Sequence, residues 1–166
     1  DARSAFAIDV DGDDDIDALS ASVIDDTIAW YESDGGSPPS FTTRTITTSA
    51  DGASSVFAID VDSDGDVDVL SASYGDDTIA WYENDGGSPP SFTTRTITTS
   101  ADFAYSVFAI DLDGDGDIDA LSASLNDDTI AWYENDGQSP PSFTTHIITT
   151  SADLILAFNI YRLILL

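Results

Sequence analysis

Aspartate stands at alternate positions of three short stretches of this chain. These are Asp9, Asp11, Asp13, Asp15 and Asp17; Asp60, Asp62, Asp64, Asp66 and Asp68; and Asp111, Asp113, Asp115, Asp117 and Asp119. The stretches begin at 9, 60 and 111, so one spacing of 51 residues relates all three. A tight turn brings residues 1, 3 and 5 of such a stretch toward one point, and Gly65 and Gly116 at position 6 supply the backbone freedom a sharp turn needs. Carboxylates about 4 Å apart repel by about 1 kcal/mol per pair in water and about 4 kcal/mol at an effective dielectric near 20. A hard divalent cation with oxygen ligands removes that repulsion. Calcium suits the pattern better than magnesium, which keeps more of its own waters. An EF-hand would need an acidic residue at position 12, where this chain has Ser20, Ser71 and Ser122, and each stretch runs into a strand-like segment instead of a helix. A merely solvated acidic turn is the plain alternative, and three copies in one register argue against it.

The elements that must hold these loops are strands. Residues 4–50, 55–101 and 106–152 align without a gap, which divides the chain into repeats at 1–50, 51–101 and 102–152 and a divergent segment at 153–166. In the second repeat, the apolar run from Ser55 to Ile59 leads into the acidic loop, and Val67 to Ser73 leads out of it. After the turn at Asp76 and Asp77, the β-branched and aromatic run from Thr78 to Glu83 follows, and Asp85-Gly86 with Pro89-Pro90 closes it. The Thr-rich run from Phe92 to Thr99 suits a more exposed strand. No segment keeps a helical period. Four strands per repeat of about 50 residues is the pattern of a β-propeller blade, with the first strand lining the centre and the fourth outermost. The expected fold is therefore all-β: three four-stranded antiparallel blades, too few to close a ring alone. Trp30, Trp81 and Trp132 share a strand face with Ile28, Ile79 and Ile130 and are read as core between blades. Tyr31, Tyr82 and Tyr133 point to the other face and are expected to pack on the next blade.

The motif Asp-x-Asp-x-Asp-Gly-x-x-Asp inside a Phe-Ala-Ile-Asp … Trp-Tyr-Glu-Asn-Asp-Gly repeat resembles the FG-GAP/VCBS repeats of integrin-like β-propellers, over nearly the whole chain up to about residue 152. That resemblance implies a calcium ion in each loop between first and second strands. Side-chain oxygens would come from positions 1, 3, 5 and 9, and a backbone carbonyl from position 7. Carried over, the sets are Asp9, Asp11, Asp13 and Asp17 with the carbonyl of Asp15; Asp60, Asp62, Asp64 and Asp68 with Asp66; and Asp111, Asp113, Asp115 and Asp119 with Asp117. The first loop departs from the pattern at Asp14, where the others have Gly65 and Gly116, and backbone strain there predicts weaker binding.

Composition bounds the function. The formal net charge is -28, with 32 acidic residues against four basic ones, so nucleic acid and anionic membranes would be repelled. There is no cysteine and hence no disulfide. Loops of this type imply a calcium-rich medium, and the start at Asp1 reads as a processed product, so an extracellular protein, secreted or at the cell surface, is expected. Catalysis is not expected: the single histidine, His146, replaces Arg44 and Arg95 of the other repeats, and every acidic pair recurs in each repeat as structural ligands do. The Ser-Pro-Pro-Ser turns at 37–40, 88–91 and 139–142 are read as exposed turns, with O-linked glycan as the alternative. In the C-terminal segment, Arg162 falls where Asp9, Asp60 and Asp111 stand, so no fourth loop begins. The segment is too short and interrupted to span a membrane and is read as an apolar strand that pairs with a neighbouring blade or copy, with a truncated or mis-assigned end as the alternative. A calcium-stabilised structural or adhesive repeat protein is the favoured reading, self-associating through exposed blade faces into a filament or surface layer. A propeller that binds a carbohydrate or protein ligand is the alternative.

Overall fold

The structure, a computed structural model, describes residues 1–152. The expectations placed on 153–166, a divergent strand with Arg162 at the loop register, lie outside the described residues. Twelve strands alternate with short loops, and no helix occurs among the described residues. The first sheet holds β1 (Ala2–Ile8), β2 (Asp17–Ser22), β3 (Thr27–Ser33) and β4 (Phe41–Thr47). The second holds β5 (Ala53–Ile59), β6 (Asp68–Ser73), β7 (Thr78–Asn84) and β8 (Phe92–Thr98). The third holds β9 (Ala104–Ile110), β10 (Asp119–Ser124), β11 (Thr129–Asn135) and β12 (Phe143–Thr149). Each is an antiparallel meander in chain order, and none closes on itself. The repeats are thus three blades that do not complete a ring.

Register explains which residues share a face. In the second blade Phe57 lies opposite Leu70, Leu70 opposite Trp81, and Trp81 opposite Arg95. The next row, Ala58, Val69, Tyr82 and Thr94, projects to the other side, because successive side chains of a strand alternate. Both rows are apolar across the first three strands because a middle blade is covered on both sides, and they end in Arg95 and Thr94 on the more exposed fourth strand. One core joins Trp30, Leu19, Ile28 and Val10 of the first blade to Val56, Ala58, Val69 and Tyr82 of the second. The other joins Trp81, Leu70, Ile79 and Val61 to Val107, Ala109, Ala120 and Tyr133 of the third. Each blade therefore has a tryptophan face toward the following blade and a tyrosine face toward the preceding one. This corrects one expectation: Tyr82 and Tyr133 do pack on a neighbour, but on the blade before, since the tryptophan row already occupies the other side; Tyr31, on the first blade, has no blade before it among the described residues. Trp30 and Trp81 are buried to 1% exposure, whereas Trp132 is only half-buried.

The blades meet mainly through their first strands, β1 against β5 and β5 against β9. Phe6, Phe57 and Phe108 form a ladder there, with ring centroids 4.8 and 4.7 Å apart. Val56 and Val107 donate backbone N–H groups to the hydroxyls of Ser4 and Ser55 in the preceding blade, each at 3.3 Å. The fourth strands are largely exposed, as their threonine content suggests. Chain passage from one blade to the next is pinned by the turn after the second strand. Asp26 and Asp77 adopt positive φ (53° and 57°), and their carboxylates accept from the N–H groups of Gly52 and Phe103 at 2.9 and 2.8 Å.

Candidate metal centres

Each acidic loop connects the first strand of a blade to the second, and backbone donors shape it from within. In the first loop, Asp9 accepts hydrogen bonds from the N–H groups of Gly12 (2.8 Å), Asp13 (3.2 Å) and Asp14 (2.8 Å). Asp111 accepts equivalently from Gly114 (2.7 Å) and Gly116 (3.2 Å), and Asp60 from Gly65 (3.0 Å). The position-1 carboxylate thus curls the chain around itself. Two residues of the curl need positive φ. At position 6 the angles are 72° for Asp14, 100° for Gly65 and 101° for Gly116. At position 4 they are 75° for Gly12, 62° for Ser63 and 85° for Gly114. Strain at Asp14 was legible in the sequence, but the matching strain at Ser63 in the second loop was not. Only the third loop has glycine at both places.

The position-9 aspartates have a second task that the spacing did not reveal. Asp17, Asp68 and Asp119 are buried. One oxygen of each accepts from the N–H at position 2 (Val10, Val61 or Leu112, all 3.0 Å). The other accepts from the last residue of the third strand (Ser33 and Asn84 at 2.8 Å, Asn135 at 2.9 Å). One carboxylate therefore locks the loop to its own blade's third strand. Asn84 and Asn135 carry the lock outward: each donates its amide to a carbonyl of the preceding blade, Val10 at 3.2 Å and Val61 at 3.1 Å.

The carboxylates converge in all three loops. Oxygens of Asp9, Asp11 and Asp13 lie within 4.8 Å of one another, as do those of Asp60, Asp62 and Asp68, and those of Asp111, Asp113 and Asp115. Asp64 falls outside its group, and Asp17 and Asp119 stay at the base of theirs, engaged with backbone donors. Asp15, Asp66 and Asp117 turn their side chains away, onto Gly35, Gly86 and Gly137, where a Cβ would collide with the carboxylate. Any contribution from position 7 must then come from its backbone.

The electrostatics call for a cation. Burial, followed by the neighbouring carboxylate Asp13 or Asp64, pushes Asp11 and Asp62 above the usual range. Burial also raises Asp17 and Asp119, and it pushes Asp68 up to about 7 despite two backbone donors. Asp11 Oδ1, Asp60 Oδ1 and Asp62 Oδ1 are buried with no hydrogen-bond partner. An unpartnered buried carboxylate oxygen is costly, and several facing one another need either protons or a metal ion. Hard oxygen donors of this kind fit calcium, so three clusters, one per blade, are able to hold a metal ion.

Away from the loops, one recurring polar group is a stack on the tryptophan face. Arg44 and Arg95 lie over Trp30 and Trp81, each 5.7 Å from the ring, and pair with Glu32 and Glu83 at 2.6 Å. In the third blade His146 takes the arginine's place, stacked on Trp132 at 4.6 Å and bonded to Glu134 at 2.6 Å. It takes the same place in the stack as the two arginines. No described helix is long and apolar enough to cross a membrane.

No curated protein matches the chain. The profile of the FG-GAP-like repeat matches residues 9–71 and again residues 60–122, each match running from the first aspartate of one loop into the second strand of the next blade. Those matches cover most of the described residues and carry the loops, the strand order and the spacing established above: the chain belongs to the FG-GAP-like repeat family.

Proposed function

We propose that this protein is a calcium-binding structural or adhesive module of an extracellular protein, with head-to-tail assembly into a filament or surface layer as its working form. The observation that carries the reading is the set of buried, unpartnered oxygens on Asp11, Asp60 and Asp62 inside converging carboxylates. Calcium would be held by Asp9, Asp11, Asp13 and Asp17 with the Asp15 carbonyl, and by the corresponding residues of the other loops, about one ion per repeat. The ion supplies charge neutralisation. The chain supplies the rest: Asp17, Asp68 and Asp119 transmit the order of each loop to the third strand through their backbone bonds. Binding at a hundredfold excess over the dissociation constant would stabilise each site by about 2.7 kcal/mol. Each repeat (1–50, 51–101, 102–152) would act as one calcium-dependent unit.

A non-catalytic role is supported by the recurrence of the acidic loops and of the Trp-Arg-Glu stack, whose third copy replaces arginine with His146. The runner-up is a propeller that binds a carbohydrate or protein ligand. Hydroxyl-rich grooves between blades favour it, one of them lined by Ser73, Asp76, Thr78, Tyr82 and Thr96. Electron microscopy with and without a chelator tests the main reading. Extended assemblies that lose order on chelation are expected, whereas discrete rings that capture sugar or protein would move the assignment to the runner-up.

A further inference from the structure

Among the described residues, two blade faces have no blade against them, and comparison with their internal copies shows what each is built to meet. On the tyrosine side of the first blade, Ile16 is 61% and Phe41 52% exposed, and Ala5 and Ala7 are exposed. Their counterparts one repeat later, Val67, Phe92, Val56 and Ala58, are all packed into the core against the preceding blade. On the tryptophan side of the third blade, Leu112 is 41% and Ile148 51% exposed. Their counterparts Val10 and Val61 are 2% exposed, and Ile46 and Ile97 pack against the cores. Trp132 is likewise half-open where Trp30 and Trp81 are sealed.

These are the two halves of the interface that already occurs twice inside the chain. We propose that the tryptophan face of the third blade receives the tyrosine face of the first blade of a second copy, in a heterologous joint that repeats the inter-blade packing. The proposal rests on the reading of a self-assembling module and names its contact. Internal grooves show how the outer part of the joint is made: Pro141, Ser142 and Phe143 of the third blade line one groove with Trp81 and Arg95 of the second. Pro90, Ser91 and Phe92 line the same groove with Trp30 and Arg44. In the joint, Pro39, Ser40 and Phe41 of one copy would line it with Trp132 and His146 of the other. A face that meets a different face of its partner does not pair symmetrically, so copies either add without limit or close as a ring.

One internal bond has no counterpart at the joint. Asn84 and Asn135 clamp the carbonyls of Val10 and Val61, but the first blade has Ser33 at that position, too short to repeat the reach toward Leu112 of the preceding copy. The joint is then weaker than the inter-blade contact it imitates, which keeps assembly reversible.

Sedimentation of the full chain in saturating calcium tests this. The parent chain should self-associate, and Phe41→Asp and Ile148→Asp, both at exposed positions, should each weaken association at least tenfold. Mixing the two variants should restore pairing, because each keeps the face the other lacks. Ser33→Asn should tighten association about fivefold by returning the missing clamp. A parent chain that stays monomeric, variants that fail to complement, or a Ser33→Asn chain no tighter than the parent would overturn the joint. Calcium titration of the two blocked variants keeps the questions separate: undiminished binding there with no association in the parent would remove the joint and leave the metal reading intact.

Discussion

Without calcium, this protein should become less stable as pH rises from 5 to 8, the reverse of what acidic proteins with paired carboxylates show. The cause is Asp68, buried at the base of the second loop with its pKa pushed from 3.8 to about 7. Between those values the folded chain holds a proton that the unfolded chain has released. The stabilisation is therefore complete below pH 4, falls as pH rises through the window, and is gone above about 7. Three pKa units correspond to about 4 kcal/mol at most, and water entry at the loop brings the expected loss to about 2–4 kcal/mol. For a chain of this size that is a fall in Tm of roughly 5–10 °C. Asp17 and Asp119 are shifted in the same direction by burial and add to the slope. Asp34, Asp85 and Asp136 are shifted down by backbone donors, so their contribution disappears only as pH falls below about 4, outside the window. Saturating calcium should remove the slope or invert it, because the ion holds Asp68 ionised and protons compete with it at low pH. Thermal unfolding followed by circular dichroism, in chelator and in calcium at each pH, reads both slopes. Asp68→Asn should flatten the calcium-free slope whatever its effect on absolute stability. A calcium-free Tm that stays level or climbs with pH would refute the claim that these carboxylates are buried at a charge deficit.

Three further outcomes are expected. Asp14→Gly and Ser63→Gly each relieve a side chain held at positive φ, worth about 1 kcal/mol, so each should tighten calcium about fivefold at its own loop by calorimetry. The third loop should be the tightest in the parent, and equal affinities at all three would contradict the strain argument. Trp81→Ala should cost about 3–5 kcal/mol in urea unfolding and Trp132→Ala less than half of that, since only the first is sealed by a following blade. Gly86→Ala should destabilise by about 2 kcal/mol and weaken the second calcium site, because its Cβ would strike Asp66 at a positive-φ position.

The parts of this fold that the sequence disclosed are those written in local periodicity. Alternation through Ile79, Trp81 and Tyr82 placed the third strand and both of its faces, and the acidic spacing located every loop. What stayed hidden depends on partners distant in the chain. Asp68 reads as one more ligand until its bonds to Val61 and Asn84 are seen, the latter 16 residues away. The clamp from Asn135 to Val61 spans 74 residues and leaves no local pattern. Position 4 of the loop escaped notice because Ser63 is an ordinary turn residue by type, and only its φ of 62° marks it. Which neighbour each tyrosine meets was equally beyond local pattern, because the direction in which blades stack is set by the whole sheet and not by any one strand.

Calorimetric titration of calcium into the chelator-treated chain tests the central claim most directly. Three ions per chain are expected, falling to two in Asp62→Ala, whose carboxylate carries one of the unpartnered buried oxygens. The absence of saturable binding, or a stoichiometry unchanged by that substitution, would contradict the assignment of these loops as metal centres.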